Sequence, residues 1–425
     1  MVDSLGNIIW QQDEYFYVED TSGNANTLSI VKSNANAPTV EVFASTDTVN
    51  WSSMGNTSTT AITATIPANG RIYLKATADT WGASSYGNVI TASGAHNVGG
   101  SVMSLLYGDN FYGKSKFPTN SIYNFKYLFN NNTTLLNSNK LSLPATTLTN
   151  GCYQNMFNGC TTLATTPKLP ATTLTTLCYA YMFSGCTSLT TAPALPATTL
   201  ADYCYRQMFD GCTSLTTTPA LPATTLTNYC YYGMFENCSS LTTAPVLSAT
   251  SLSDYCYALM FYRCTSLTQA PALPATTLAT YCYQSMFNAC SSLTTAPALP
   301  ALSVEESCYL MMFKGCTSLT TAPELSFVVT DKNCCYQMFY NCTSLTTAPT
   351  LKPTHIVTTA YQEMFYGCSS LNSVVIYANY FATSLSTKNW LYGVAATGDF
   401  YNLGTYTYTS GVNGIPTGWT EHNSL

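Results

Sequence analysis

Charge is what this sequence of 425 residues has least of: Asp, Glu, Lys and Arg make up 8% of it, against about 25% in an ordinary soluble domain. Only 14 residues are Lys or Arg and the net charge is −6. No basic stripe is available to neutralise phosphates, so nucleic-acid binding is not expected. Histidine is scarce too. His96, His355 and His422 lie far apart, with no acid or nucleophile spaced around them, and a surface or loop role is expected of each. The sequence has no H-E-x-x-H, no G-x-S-x-G and no P-loop, and its scattered acids form no recurrent pair of the glycosidase kind. The expectation is a protein that is no enzyme, with no catalytic residue, no cofactor and no metal. No run of 18 apolar residues occurs, so no transmembrane helix and no membrane insertion are expected. The opening "MVDSLGNIIWQQDEYFYVED" has neither a basic n-region nor a long apolar run. A Sec leader is therefore not expected here, and release by another route, or a leader outside this sequence, is.

The missing charge is replaced by Thr, Ser, Asn and Tyr around an ordinary apolar content of 46%. That composition fits a folded chain with a low-charge surface, because disorder goes with few apolar residues and high net charge. The length suffices for two or three domains.

Self-similarity dominates the rest. One cysteine column runs Cys152, Cys178, Cys204, Cys230, Cys256, Cys282, Cys308 and Cys334 in steps of 26 residues. A second, eight residues later, runs from Cys160 to Cys368, and of the 18 cysteines only Cys335 falls outside both columns. A Met-Phe pair sits between the columns, a Leu follows the second Cys by three, and a Pro follows that Leu by four. A degenerate copy, "YLFNNNTTLL" from Tyr127 to Leu136, stands two residues out of register, which makes about ten turns. In "CYYGMFENC" the residues Cys230, Met234 and Cys238 fall at i, i+4 and i+8, which predicts one face of a short helix. The residue before the second Cys is mostly Gly or Asn, from Gly159 to Gly367, which reads as a helix C-cap in the left-handed conformation. "SSLTTAPVL" predicts one short strand per turn, bent by its Pro. A repeat of this length with a Leu-lined strand and a short helix belongs to the leucine-rich-repeat size class. Ten stacked turns predict a solenoid roughly 45–50 Å long on its strand side. Its stability would come from neighbouring turns and terminal caps.

"LPATTLTNYCYYGMFENCSSLTTAPVL" resembles the BspA-like leucine-rich repeats found in surface proteins of gut and oral anaerobes and in phages that infect them. "GNVITASGAHNVGGSVMSLLYGDNF", from Gly87 to Phe111, resembles the segment that leads into such repeats. "WLYGVAATGDFYNLG" and "NGIPTGWTEH" resemble their C-terminal cap. The resemblance covers roughly residues 38 to 425 and implies an architecture more than a function.

The expected organisation is an N-terminal docking segment over 1–37, a β-sandwich-like domain over 38–117, the leucine-rich-repeat solenoid, of α+β class, over 118–371 and a C-terminal cap over 372–425. In the cap, "STKNWLYGVA" predicts a capping helix with Ser386 as N-cap, and Trp390 and Trp419 would cover the last turn. The cysteines read as a buried, reduced ladder of small apolar side chains. A disulfide within one unit is out of reach for i and i+8 on a helix, since they are about 12 Å apart. Bridges between stacked turns are possible by distance but would strain a regular ladder. C-x₇-C without histidine is not zinc spacing. Cys335 stands where other units have Tyr, and Lys332 is its only cationic neighbour in sequence.

Tyrosine supplies the candidate binding residues. Tyr153, Tyr179, Tyr205, Tyr231, Tyr257, Tyr283, Tyr309 and Tyr361 form a column that reads as a structural ladder. Tyr203, Tyr229, Tyr255 and Tyr281 form a second, partial column. It reads either as packing at the start of each helix or as an exposed row able to stack on sugar rings or contact a protein. The function expected from all this is a virion structural or attachment protein of a bacteriophage, a fibre or a capsid or tail decoration. Its N-terminal region would dock to virion or surface-assembly proteins. Its repeats would meet a host-surface protein or glycan, within a larger or oligomeric assembly. The alternative is a BspA-like adhesin on a bacterial cell surface.

Overall fold

The computed structural model describes residues 14–119 and 121–425, and the chain divides into two compact units, Met1–Leu215 and Thr216–Leu425. In the first unit, apolar residues on a period of two make strands: β1 (Tyr17–Asp20), β2 (Asn26–Lys32), β3 (Glu41–Ser45), β4 (Ser52–Asn56), β5 (Ile62–Ile66), β6 (Arg71–Ala76), β7 (Asn88–Ala92) and β8 (His96–Ser101). One helical turn, α1 (Ser104–Tyr107), and a longer strand, β9 (Leu135–Ser142), follow. The strands form a six-stranded sheet in the order β4-β3-β6-β1-β8-β9 and a three-stranded sheet in the order β5-β2-β7.

This corrects two of the expected boundaries. The described part of the expected docking segment 1–37, residues 14–37, is not separate from the β domain, because β1 lies between β6 and β8, and β2 lies between β5 and β7. Phe16, Val18, Leu28 and Ile30 are fully buried, as the core-facing side of central strands requires. Tyr15, Phe16 and Tyr17 thus belong to the β domain itself; Ile8, Ile9 and Trp10 lie outside the described residues. Nor does the β domain end at 117. β9, from the first repeat, pairs in parallel with β8, so one sheet crosses from β domain to repeats.

The helix expected in each repeat is absent. Among the described residues α1 and a 3₁₀ turn at Gly108–Asn110 are the only helical elements. In its place is a ribbon of consecutive tight turns. The N–H groups of Cys152, Gln154, Met156, Asn158 and Cys160 donate to the carbonyls of Thr149, Gly151, Tyr153, Asn155 and Phe157, each three residues back. The alternate N–H groups, from Gly151, Tyr153, Asn155, Phe157 and Gly159, donate instead to Thr176, Cys178, Ala180, Met182 and Ser184 of the next turn. An α-helix would use every interior N–H internally, whereas the ribbon keeps half of them for its neighbour. Its backbone enters the left-handed region every fourth residue, at Gly151 (φ 62°), Asn155 (φ 56°) and Gly159 (φ 73°), as the third residue of a type II turn must. The i, i+4, i+8 face is real, and Cys152, Met156 and Cys160 are fully buried with Tyr153 and Phe157. The period is four rather than 3.6. The degenerate first copy also behaves as its sequence implies: Tyr123 and Phe125 bond to Asn150 and Cys152, 27 residues on, where Gly151 bonds 25 residues on to Thr176.

The second unit is built the same way. Its return leg is not a strand but a file of single parallel bridges, Gln269–Thr295–Thr321–Thr347–Ser373. Proline at 271, 297, 323 and 349 removes a donor beside each bridge, which stops a ladder from extending. Threonine hydroxyls supply part of the missing cohesion: Thr294 Oγ1 donates to Thr268 O at 3.3 Å and Thr320 Oγ1 to Thr294 O at 3.4 Å. Toward the C-terminus β10 (His355–Ile356), β11 (Ser373–Ile376), β12 (Tyr380–Phe381), β13 (Gly398–Asn402) and β14 (Trp419–His422) appear. β10 pairs with β12, and β11, β13 and β14 form a parallel sheet.

The expected capping helix is one more ribbon, so the repeat pattern runs past residue 371. Ser386 and Trp390 N–H donate to Thr383 and Thr387 carbonyls at 3.1 Å, and Asn389 (φ 53°) and Gly393 (φ 73°) are left-handed. Ser386 is buried rather than a cap, its Oγ donating to Ile356 O at 3.4 Å. The closure lies in the loop that follows. Asn413 Oδ1 accepts the Asn389 N–H at 2.7 Å, and Trp390 Nε1 donates to Gly414 O at 3.1 Å. Trp419 Nε1 donates to Ala395 O at 2.7 Å.

Candidate functional site

The left-handed positions of the ribbons form columns, and the first of them carries the candidate tyrosines. Gly151, Leu177, Tyr203, Tyr229, Tyr255, Tyr281, Ser307, Asn333 and Thr359 occupy it in successive copies. Gly and Asn take this conformation readily, but a bulky aromatic does so at a cost of about 1–2 kcal/mol. Tyr203 (φ 60°), Tyr229 (φ 56°), Tyr255 (φ 54°) and Tyr281 (φ 56°) all do so. In the second unit their rings stack, Tyr229 on Tyr255 at 4.5 Å and 8° and Tyr255 on Tyr281 at 4.6 Å and 10°. Such a pair contributes about 0.5–1.5 kcal/mol beyond its buried area. Stacking therefore offsets the strain without a clear surplus, and stability alone gives no reason to prefer Tyr to Asn here.

All four tyrosines are half-buried. Tyr203, in the first unit, faces the Arg206 guanidinium at 5.7 Å. In the second unit, Tyr232 tilts against Tyr229 at 5.6 Å. Partial burial, with the phenols of Tyr229 and Tyr281 on either side, pushes the Tyr255 hydroxyl up to about 12. A polar column runs alongside. The N–H groups of Tyr229, Tyr255 and Tyr281 donate to the carbonyls of Asp254, Thr280 and Glu306 in the next turn. Asp254 Oδ1 in turn accepts the Thr280 N–H at 3.1 Å.

A second stack, half-buried at Tyr340 and Tyr366 and exposed at Tyr392, is one the sequence does not announce. Tyr340, Tyr366 and Tyr392 stack at 4.6 and 4.8 Å, and the Lys314 ammonium sits 4.5 Å from the Tyr340 ring centre. Lys314 Nζ donates to Gln337 Oε1 at 2.7 Å, and Gln337 Nε2 donates to Glu363 Oε2 at 2.6 Å. The signal lay in the sequence as three tyrosines 26 residues apart, each one residue before a Gly or Asn column position. Asn288 and Lys314, which hold the same position in the two preceding copies, hide it as a column.

The other tyrosine column is structural. Tyr153, Tyr179, Tyr205, Tyr231, Tyr257, Tyr283, Tyr309 and Tyr361 are all at most 2% exposed, stacked for example Tyr257 on Tyr283 at 6.0 Å. The 18 cysteines are all free and buried. In the second column the thiols have a task the sequence does not announce: Cys290 Sγ donates to Phe261 O at 3.0 Å and Cys316 Sγ to Phe287 O at 3.1 Å, each tying a turn to the one before. Burial pushes the thiols of Cys152, Cys290 and Cys368 up to about 12, which disfavours the thiolate at those positions. Lys332, the cation nearest Cys335 in sequence, pairs with Glu306 at 3.3 Å, and Cys335 is fully buried. His96 departs from its expected surface role. It is fully buried in β8, with Nδ1 at 3.0 Å from Gly94 O and Nε2 at 3.1 Å from Asn132 Nδ2. Among the described residues no three His, Cys, Asp or Glu side chains cluster as metal ligands, and no helix is long and apolar enough to cross a membrane.

No curated protein matches the chain in sequence. The ribbons, their columns and their 26-residue step do match a family. Residues 121–268, 198–309 and 309–390 fit the BspA type leucine rich repeat region, in six copies. With stacked turns over most of its length and that match across them, the chain belongs to the BspA-type leucine-rich-repeat family.

Proposed function

We propose that this protein is a non-enzymatic attachment protein of a bacteriophage virion, a fibre or a capsid or tail decoration, which offers its repeat surface to the host. The family supports the coarser part of that reading, a surface or adhesion-type repeat protein. The observation that carries it further is the half-buried tyrosine column, held in a strained backbone conformation that the fold does not need. Tyrosine suits attachment because its ring is apolar and rigid while its hydroxyl stays polar, which gives contact area at low entropic cost. The β domain, through its N-terminal residues, is the docking part, and the repeats are the presenting part, contacting a host-surface protein or glycan. The same features serve a BspA-like adhesin on a bacterial surface, and the family favours that second reading equally.

An antibody to the repeats separates the two. Labelling of purified phage particles by immunogold, together with the protein's mass-spectrometric signature in those particles, is the expected result. Signal confined to bacterial envelopes would replace the virion reading with the cell-surface one. A chain that binds neither host cells nor host-cell extracts would end the attachment reading altogether.

A further inference from the structure

Tyr229, Tyr255 and Tyr281 stack ring on ring at 4.5 and 4.6 Å. Their faces are occupied by one another, so flat stacking of a sugar on each ring, the arrangement the sequence suggests, is closed along the column. What the column offers is a row of ring edges and phenolic hydroxyls repeating once per turn. Beside it run the backbones of Asp254 and Glu306, whose carbonyls accept the Tyr229 and Tyr281 N–H groups; the Asp254 carboxylate accepts the Thr280 N–H and the Glu306 carboxylate pairs with Lys332. The backbone itself does not call for tyrosine, since Gly151, Ser307 and Asn333 hold the same left-handed position in other turns.

We propose that this column binds a linear, β-linked polysaccharide that is uncharged or amino-substituted, laid along the stack with one pyranose per turn. The inference rests on the attachment reading and names its ligand class. A surface that repeats at this interval selects a ligand with the same interval. A pyranose linked through equatorial bonds lengthens its chain by close to one turn's rise and turns hydroxyls outward at every unit. An extended peptide repeats its side chains on one face every ~6.7 Å and falls out of step after one rung. Phosphate or uronate polymers meet the Asp254 carboxylate and a chain of net charge −6, which disfavours them. Phenols both donate to sugar hydroxyls and accept from them. Each rung is weak alone, and affinity accumulates because every further unit binds as an intramolecular step.

The test uses the full chain, with cello- and chito-oligosaccharides of one to six units as probes, followed by calorimetry. Affinity is expected to rise about tenfold or more between the disaccharide and the tetrasaccharide, as successive rungs engage. Maltohexaose, which coils, and an oligogalacturonate hexamer should bind at least about tenfold more weakly than the best linear probe. The variant Tyr229→Asn/Tyr255→Asn/Tyr281→Asn keeps residues that accept a left-handed φ; its thermal unfolding should match the parent while binding is lost. Affinity independent of length, equal binding of the coiled or anionic probes, no binding of any linear probe, or full binding by the folded triple variant would each overturn the proposal. If the triple variant still attaches to host cells, the glycan ladder is wrong and the attachment reading stands. If the parent attaches to nothing, the attachment reading itself has failed.

Discussion

Single residues here answer to their neighbours 26 positions away more than to those beside them in sequence. Tyr179 shows it. Its ring stacks between Tyr153 and Tyr205, yet its hydroxyl is buried without a hydrogen-bond partner among the described residues. A buried unsatisfied hydroxyl costs roughly 1–3 kcal/mol. Tyr179→Phe removes it and keeps the ring, so urea unfolding should show unchanged or higher stability, by up to about 1 kcal/mol. A loss above that would mean the hydroxyl has a partner. The thiols give a second residue-scale test. A thiol reagent should find few reactive groups in the native protein and all 18 after denaturation without reductant; a native protein with no titratable thiols in either state would make the ladder oxidised. His96 gives a pH dependence. Burial lowers its pKa below that of the unfolded chain, against smaller opposing effects of the Gly94 carbonyl and Asp20. The unfolded state therefore binds the extra proton first, and stability should be full above about pH 6.5 and fall as pH drops below it. His96→Gln should flatten that fall; an unchanged slope would place it elsewhere.

At the scale of the element, the sequence shows which residues turn inward but not which backbone carries them. Cys230, Met234 and Cys238 repeat at four, and a helix and a chain of type II turns both place such residues on one side. What separates the two is tolerance of positive φ every fourth residue, and only the third of the three columns, Gly159 to Gly367, displays it through Gly and Asn. The first two columns hold Tyr, Leu, Gln, Ser and Met at many copies, which disguises them. The strand side was misjudged for a related reason: the leucine spacing reads as a strand, but Pro and single bridges cut it to points of contact. The β domain is legible as β, and only its start is not, because "YVED" is four residues long with two acids and "NTLSIVK" follows a Gly- and Asn-rich turn, so neither is a β-branched run of the kind that marks the later strands. Two tests belong to this scale. Far-ultraviolet circular dichroism should lack the double minimum of a helical protein, which a solenoid with one helix per turn would show. Leu259 sits at φ 58° and is half-buried. Leu259→Asn should raise stability by up to about 1 kcal/mol by relieving the left-handed strain, and a clear loss would show that its packing outweighs the backbone.

At the scale of the whole molecule, the repeats and the β domain are joined by more than a linker. β9 completes the sheet of β1, β3, β4, β6 and β8, the Phe16 ring meets Phe129 of the first ribbon at 6.0 Å, and the Ile90 N–H donates to Leu128 O at 2.8 Å. Stability in such a stack is a sum over neighbours and ends, so the β domain is the repeats' N-terminal cap as well as the proposed docking part. That dual role decides how docking must be tested. Deleting residues 1–37 removes β1 and β2, the central strands of both sheets, and should leave an insoluble or partly unfolded chain whatever the N-terminus does. Deleting residues 1–13 removes no described strand and spares Glu14, whose carboxylate pairs with Arg71 at 2.8 Å beside β1. The shorter deletion should keep the parent's melting temperature and lose incorporation into the particle that carries the protein. Normal incorporation with normal melting would move the docking surface off the N-terminal residues, to the β domain's own faces or to the repeats. A melting temperature as low as that of the 1–37 deletion would make residues 1–13 part of the fold rather than an anchor.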